Sequence, residues 1–135
     1  MRSFALAAAL LAATAVCADS DPTRRAERLE PTQIDAETGF SVREYDLKTG
    51  TYYRWRVSGD GIDEYEVSAE ELFENSWLDR VSFDESSIGI SDLEEIELGG
   101  EAEVNVWFVP IRPGDYEFEV EGRDEDGFTG VMHVR

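Results

Sequence analysis

The stretch YEFEVEGRDEDGFTG, residues 116–130, decides the fold class. From Tyr116 to Glu121 apolar and acidic side chains alternate without a break. Successive side chains of a strand point to opposite faces, so Tyr116, Phe118 and Val120 meet a core while Glu117, Glu119 and Glu121 meet water. The register is well determined, because a slip of one residue would bury three carboxylates without partners. Beyond the strand come Gly122, the charged run Arg123 to Asp126, glycines at 127 and 130, and a second apolar segment ending at Val134.

Working outward, the same rhythm fills the chain from Phe40: short runs of β-branched and aromatic residues separated by Gly, Asp, Asn and Pro. Such a pattern predicts strands at Ser41 to Asp46, Thr51 to Val57, Glu64 to Val67, Leu78 to Phe83, Ile88 to Ile90, Glu94 to Leu98, Ala102 to Val109, Tyr116 to Glu121 and Gly130 to Val134. Pro113-Gly114 supplies a turn after Val109, as expected between neighbouring antiparallel strands. One short helix is predicted over Ser68 to Phe73, where Ser68 and Glu71 have capping-box spacing and Leu72 and Phe73 offer apolar surface. Many short strands and one small helix make an all-β sandwich, assigned to residues 39–135. Residues 19–38 are polar, contain two prolines and lack a sustained apolar period. They read as a flexible N-terminal arm.

Ahead of the arm, Arg2 precedes an apolar run from Phe4 to Val16, and the triplet Val16-Cys17-Ala18 gives way to Asp19-Ser20-Asp21-Pro22. This is the pattern of a secretory signal peptide, residues 1–18, cut after Ala18. The run spans 13 residues, short of the roughly 20 that a membrane-spanning helix needs. A lipoprotein acylated at Cys17 is the alternative, disfavoured by the bulk of Val16. Cleavage after Ala18 removes the only cysteine, so disulfide and thiol chemistry are excluded from the remaining chain. The expected location is periplasmic or secreted.

The whole chain carries 12 basic and 31 acidic residues; losing Arg2 leaves 11 − 31 = −20. Phosphate neutralisation needs Lys and Arg, so nucleic acid and anionic membrane surfaces are poor partners. Two readings of the acidity stand: solubility in a salty medium, or the binding of a cation or a basic partner.

The order of parts resembles the cupredoxins, small Greek-key β-sandwich copper proteins. The segment RPGDYEFEVEG followed by GFTGVMHV, residues 112–122 and 127–134, is similar to that family's final hairpin. DEYEVSAEELF, residues 63–73, is similar to the segment carrying its first ligand just before a short helix. With Gly127 and Gly130 in register, the resemblance places Val120 at the family's Cys position, Arg123 at its second His, Phe128 at its Met and Asp63 near its first His. A blue-copper centre needs a thiolate and two imidazoles. Beyond Ala18 the chain has His133 alone and no cysteine, so the resemblance implies a member that has lost type 1 copper. Val120 and Phe128 read as core, and Arg123 as the partner of Asp63 or Glu64 in an ion pair standing where the copper would be.

Other chemistry is thinly represented. Asp60, Asp63, Glu64, Asp124 and Asp126 lie on two glycine-bearing, oxygen-rich loops that suit Ca²⁺ or another hard cation, although no EF-hand pattern is present. Placing a metal between those loops is the alternative to a domain without cofactor. His133 sits inside a predicted strand, and no loop-borne base accompanies a Ser or Cys nucleophile. There is no phosphate-cradling glycine loop and no zinc spacing. In Thr51 to Val57, Tyr53, Trp55 and Val57 share one face, while Tyr52, Arg54 and Arg56 form a basic, aromatic stripe on the other. That stripe suits an acidic ligand or the protein's own acidic loops. These readings converge on a non-catalytic cupredoxin-like binding or interaction module whose partner is a protein or small molecule, basic if the acidity is the attraction. The alternative is a metal-ion binding protein using loop carboxylates.

Overall fold

A computed structural model describes residues 25–83, 86–89, 93–99, 102–123 and 125–135. The signal peptide read at 1–18, the start of the arm, Ile90 and Asp124 lie outside the described residues. Within them the chain forms twelve strands and one helix: β1 (Glu27–Arg28), β2 (Thr32–Asp35), β3 (Gly39–Phe40), β4 (Glu44–Leu47), β5 (Tyr53–Ser58), β6 (Tyr65–Ser68), α1 (Glu70–Glu74), β7 (Ser76–Phe83), β8 (Ser86–Gly89), β9 (Glu95–Leu98), β10 (Glu103–Pro110), β11 (Gly114–Val120) and β12 (Thr129–Val134). No helix among the described residues is long and apolar enough to cross a membrane.

The strands make two sheets. The first runs β3-β2-β5-β10-β7-β8, with β1 also on β5, and the second runs β4-β12-β11-β6-β9. The alternation in residues 116–121 has the predicted consequence: Tyr116, Phe118 and Val120 are buried on β11, with Glu117 and Glu119 exposed. On β5 the same rule buries Tyr53, Trp55 and Val57. Phe118 occupies the middle of the sandwich, with ring centroids 5.0 Å from Phe40, 5.3 Å from Trp55 and 6.2 Å from Tyr45. Burial of each such side chain stabilises the fold by about 1.5–3 kcal/mol.

Three expectations are corrected. The arm assigned to 19–38 is built into the first sheet from Glu27 onward, with β1 and β2 both parallel to β5. Its pattern was too short for a period to register, yet Thr32 and Ile34 are buried. The sheet therefore reaches back at least to Glu27, ahead of the boundary expected at 39. Second, β10 and β11 are not paired: β10 lies between β5 and β7, and β11 between β12 and β6. Pro113-Gly114 thus carries the chain from one sheet to the other. Third, Ser68 does not cap the helix. It pairs with Glu95 and Glu119 at the end of β6, and Ala69 takes the N-cap position without a side-chain bond. Glu70 and Glu71 still place negative charge on the first turn, where the helix dipole favours it.

The two sheets meet at a close backbone junction. Gly39 has φ +79° and Gly127 φ +102°, and Phe40 N–H donates to Gly127 C=O at 2.8 Å. A Cβ on Gly39 would overlap the Gly127 carbonyl, and one on Gly127 would overlap the Thr38 carbonyl. Gly50 has φ +81° but nothing within 4 Å of its would-be Cβ. Gly39→Ala and Gly127→Ala should therefore each cost on the order of 3 kcal/mol or more, from strain plus overlap, against about 1 kcal/mol for Gly50→Ala. Urea denaturation midpoints at matched m-values test the difference.

Candidate functional site

The β5–β6 and β11–β12 loops meet at one end of the sandwich. Asp60 organises the first. Its Oδ1 accepts from Ile62 N–H (2.9 Å) and Asp63 N–H (3.4 Å), while Oδ2 accepts from Ala36 N–H (2.9 Å) and Tyr65 O–H (2.8 Å). These bonds, led by that from Ile62, hold the carboxyl down at about 2. Burial, then the bond to Asp60, pushes the Tyr65 phenol up to about 12. Asp60 is a structural hub with its lone pairs engaged, and it ties the N-terminal segment at Ala36 to the loop.

On the opposing loop, Val120 N–H donates to Phe128 C=O at 3.0 Å and closes the neck, and Arg123 N–H donates to Val120 C=O at 3.2 Å. Gly122, at φ +73°, lets the chain turn there. This geometry projects Arg123 toward β6, where Nη2 donates to Asp63 Oδ2 at 2.8 Å. The guanidinium lies 5.2 Å from the Phe128 ring centroid and 5.9 Å from that of Tyr65. Phe128 is 1% exposed and Val120 is 3% exposed. So Arg123, Asp63, Val120 and Phe128 are brought together: an ion pair above two buried apolar side chains. Glu64 is exposed and joins no ion pair with the described residues.

Among the described residues, the carboxylates expected to form an oxygen cage each have a protein partner or stand apart; Asp124 lies outside them. Asp60 is saturated, Asp63 is turned to Arg123, and Asp126 is exposed with its partner Arg43 at 3.3 Å. Among the described residues the carboxylates that gather are Glu66, Glu95 and Glu121, whose oxygens lie within 4.8 Å of one another. They come from three adjacent strands or their ends: Glu66 is on β6, Glu95 on β9, and Glu121 N–H donates to Glu66 C=O just past β11. The sequence reading missed this group because its signal lies in the strand pairing, not in the spacing. A shared hydrogen bond with Glu95, then the charges of Glu95 and Glu121, raise Glu66 to about 7. His133, on β12, contacts Asp115 at 2.7 Å, and that bond holds its pKa above the usual histidine value.

No family model and no curated protein matches the chain. Solved structures do. A multicopper oxidase from Pseudomonas thermotolerans is similar over 82% of this chain and 30% of its own, with 16% identity and a TM-score of 0.61. A multicopper oxidase from Campylobacter jejuni is similar over 84% of this chain and 31% of its own, with 10% identity and a TM-score of 0.58. Auracyanin from Roseiflexus castenholzii, in its dithionite-reduced form, is similar over 78% of this chain and 94% of its own, with 16% identity and a TM-score of 0.51. The chain thus spans about a third of each oxidase. The fold is that of a cupredoxin-like β-sandwich domain.

Two predictions follow from the loop end. The Arg123 and Asp63 side chains are 28% and 44% exposed, so solvent screens the pair and Arg123→Ala should cost only about 1 kcal/mol, part of it lost stacking on Phe128. Arg123→Met, which keeps the apolar stem, should recover some of that loss in thermal denaturation. The Glu66 carboxyl is raised in the folded state, so the fold holds a proton there that the unfolded chain has released. Stability then falls as pH rises from about 4.5 toward about 7. Glu66→Gln should raise the melting temperature at pH 8 and flatten its decline across that window.

Proposed function

We propose that the domain is a non-catalytic binding or interaction module of the periplasm or cell exterior, one that has given up type 1 copper. The observation that carries this reading is the Arg123–Asp63 ion pair lying over Phe128, at the positions that the cupredoxin resemblance gives to metal ligands. A guanidinium there repels a cation, and its carboxylate partner is already engaged. Val120 and Phe128 offer no donor atom, and the core beneath is filled by their side chains. Beyond residue 18 the chain contains one histidine and no cysteine, too few soft or imidazole ligands for a blue-copper centre. His133 is engaged with Asp115 on the outer side of β12, away from the loop residues.

The hard-cation alternative draws less support, because Asp60, Asp63 and Asp126 each have a protein partner. Titration of the secreted protein with Cu(II) tests the main reading. The expected result is no intense visible charge-transfer band and no stoichiometric tight site by native mass spectrometry. An intense blue or green species at one copper per chain overturns it.

A further inference from the structure

The outer face of the first sheet carries a charge pattern opposite to that of the rest of the molecule. Register places Arg28 beside Arg54, Arg54 beside Trp107, and Trp107 beside Arg80, in one row across β1, β5, β10 and β7. The guanidinium of Arg80 lies 4.4 Å from the Trp107 ring centroid and that of Arg54 lies 5.3 Å from it. In the next row Arg56 stands beside Asn105. Of the local acids, Glu103 accepts from Arg56 and Asn105, and Asp79 accepts from the Tyr52 hydroxyl while standing 3.9 Å from Arg80 Nε. Arg54 donates through Nε to Asn105 Oδ1 at 2.9 Å and, among the described residues, pairs with no carboxylate. Burial, then the charges of Arg28 and Arg56, press it below the ordinary arginine value. Arg28 and Arg80 are exposed and Arg54 half-buried, and guanidinium groups beside an aromatic plane suit carboxylates.

We propose that this face docks a carboxylate-rich peptide segment of a partner protein, held by Arg28, Arg54 and Arg80 on either side of Trp107. This rests on the interaction-module reading and names its partner. A flat sheet face encloses no small ligand, whereas an extended peptide crosses several strands. Arg28 and Arg54 stand one strand apart, about 4.8 Å, and Arg54 and Arg80 two strands apart, about 9.6 Å. Alternate side chains of an extended peptide recur about every 7 Å, between these two spacings, and the long arginine stems take up the difference.

A row of carboxylates also lies across the sandwich, on Glu44, Glu66, Glu95, Glu97, Glu117 and Glu119 of the second sheet. With sheets about 10 Å apart and side chains beyond them, those charges sit more than a physiological Debye length of about 8 Å from the docked peptide. At 0.15 M salt the peptide therefore feels the arginines and not the distant carboxylates. At about 0.01 M, where the Debye length is about 30 Å, the whole molecule repels it, and at about 1 M the arginines are screened as well.

The test is fluorescence anisotropy of a labelled oligoglutamate with the full chain as secreted, across that range of salt. Binding should be tightest near 0.1 M and weaken toward both extremes. Arg54→Glu with Arg80→Glu should weaken it by about tenfold or more. Arg43→Glu with Arg112→Glu changes net charge equally on other surfaces and should bind as the parent does, with circular dichroism confirming that both pairs fold. Equal loss in the two pairs, affinity that falls steadily with salt, or no binding overturns the proposal. So does tighter binding of an oligothymidylate, which would assign the face to nucleic acid, or sedimentation showing self-association that the first pair abolishes. The copper titration reads a different end of the molecule, so either result stands without the other.

Discussion

The indole N–H of Trp55 is sealed from the surface, and the way it is satisfied joins the sheets. Trp55 is fully buried, and its Nε1 donates to Thr32 Oγ1 at 2.9 Å. The Thr32 hydroxyl is 2.6 Å from that of Tyr45, which donates to Glu30 C=O at 2.6 Å. Trp55 and Thr32 belong to the first sheet and Tyr45 to the second, so one relay of three side chains spans the sandwich. An unmet buried donor costs about 1–3 kcal/mol, and none of the buried side-chain polar atoms described lacks a partner. The N-terminal strand β2 is thus required by the core rather than appended to it. Without Thr32 the largest buried side chain would lose the acceptor of its indole N–H.

Seen from this relay, the loop end is an extension of the same economy of partners. Asp60 takes a backbone donor from Ala36, just past β2, and a hydroxyl from Tyr65 on β6. Gly39 and Gly127 let the two backbones approach within a hydrogen bond. Gly130 lies directly against the Phe118 ring. The glycines flanking Phe128 therefore have reasons to be glycine that involve packing alone, and a loop of this length persists around an ion pair as readily as around an ion.

Much of this was legible in the sequence where a period of two ran long enough to count. Residues 116–120 and 53–57 alternate clearly, and their faces are as read. The Arg123–Asp63 pairing was also legible, through the resemblance rather than the pattern. The arm was misread because β1 and β2 supply only two and four residues, too few for alternation to stand out from two nearby prolines, and because parallel pairing to β5 leaves no hairpin signal. The crossing between β10 and β11 was misread because a Pro-Gly turn specifies a change of direction without naming the sheet that receives it. Glu66, Glu95 and Glu121 became neighbours through strand pairing, as did Trp107 and Arg80. Only the pairing register reveals either group.

The outermost strands of the second sheet are β4 and β9. Each presents two exposed carboxylates, Glu44 and Asp46 on one and Glu95 and Glu97 on the other. An exposed strand edge is a template for pairing with another chain, and charge along it is a means of preventing that. If two copies aligned β4 to β4 or β9 to β9, like charges would stand opposite one another at every outward position. The acidity of this chain is thus also a guard against fibre formation, set on the strands that have no neighbour on one side among the described residues.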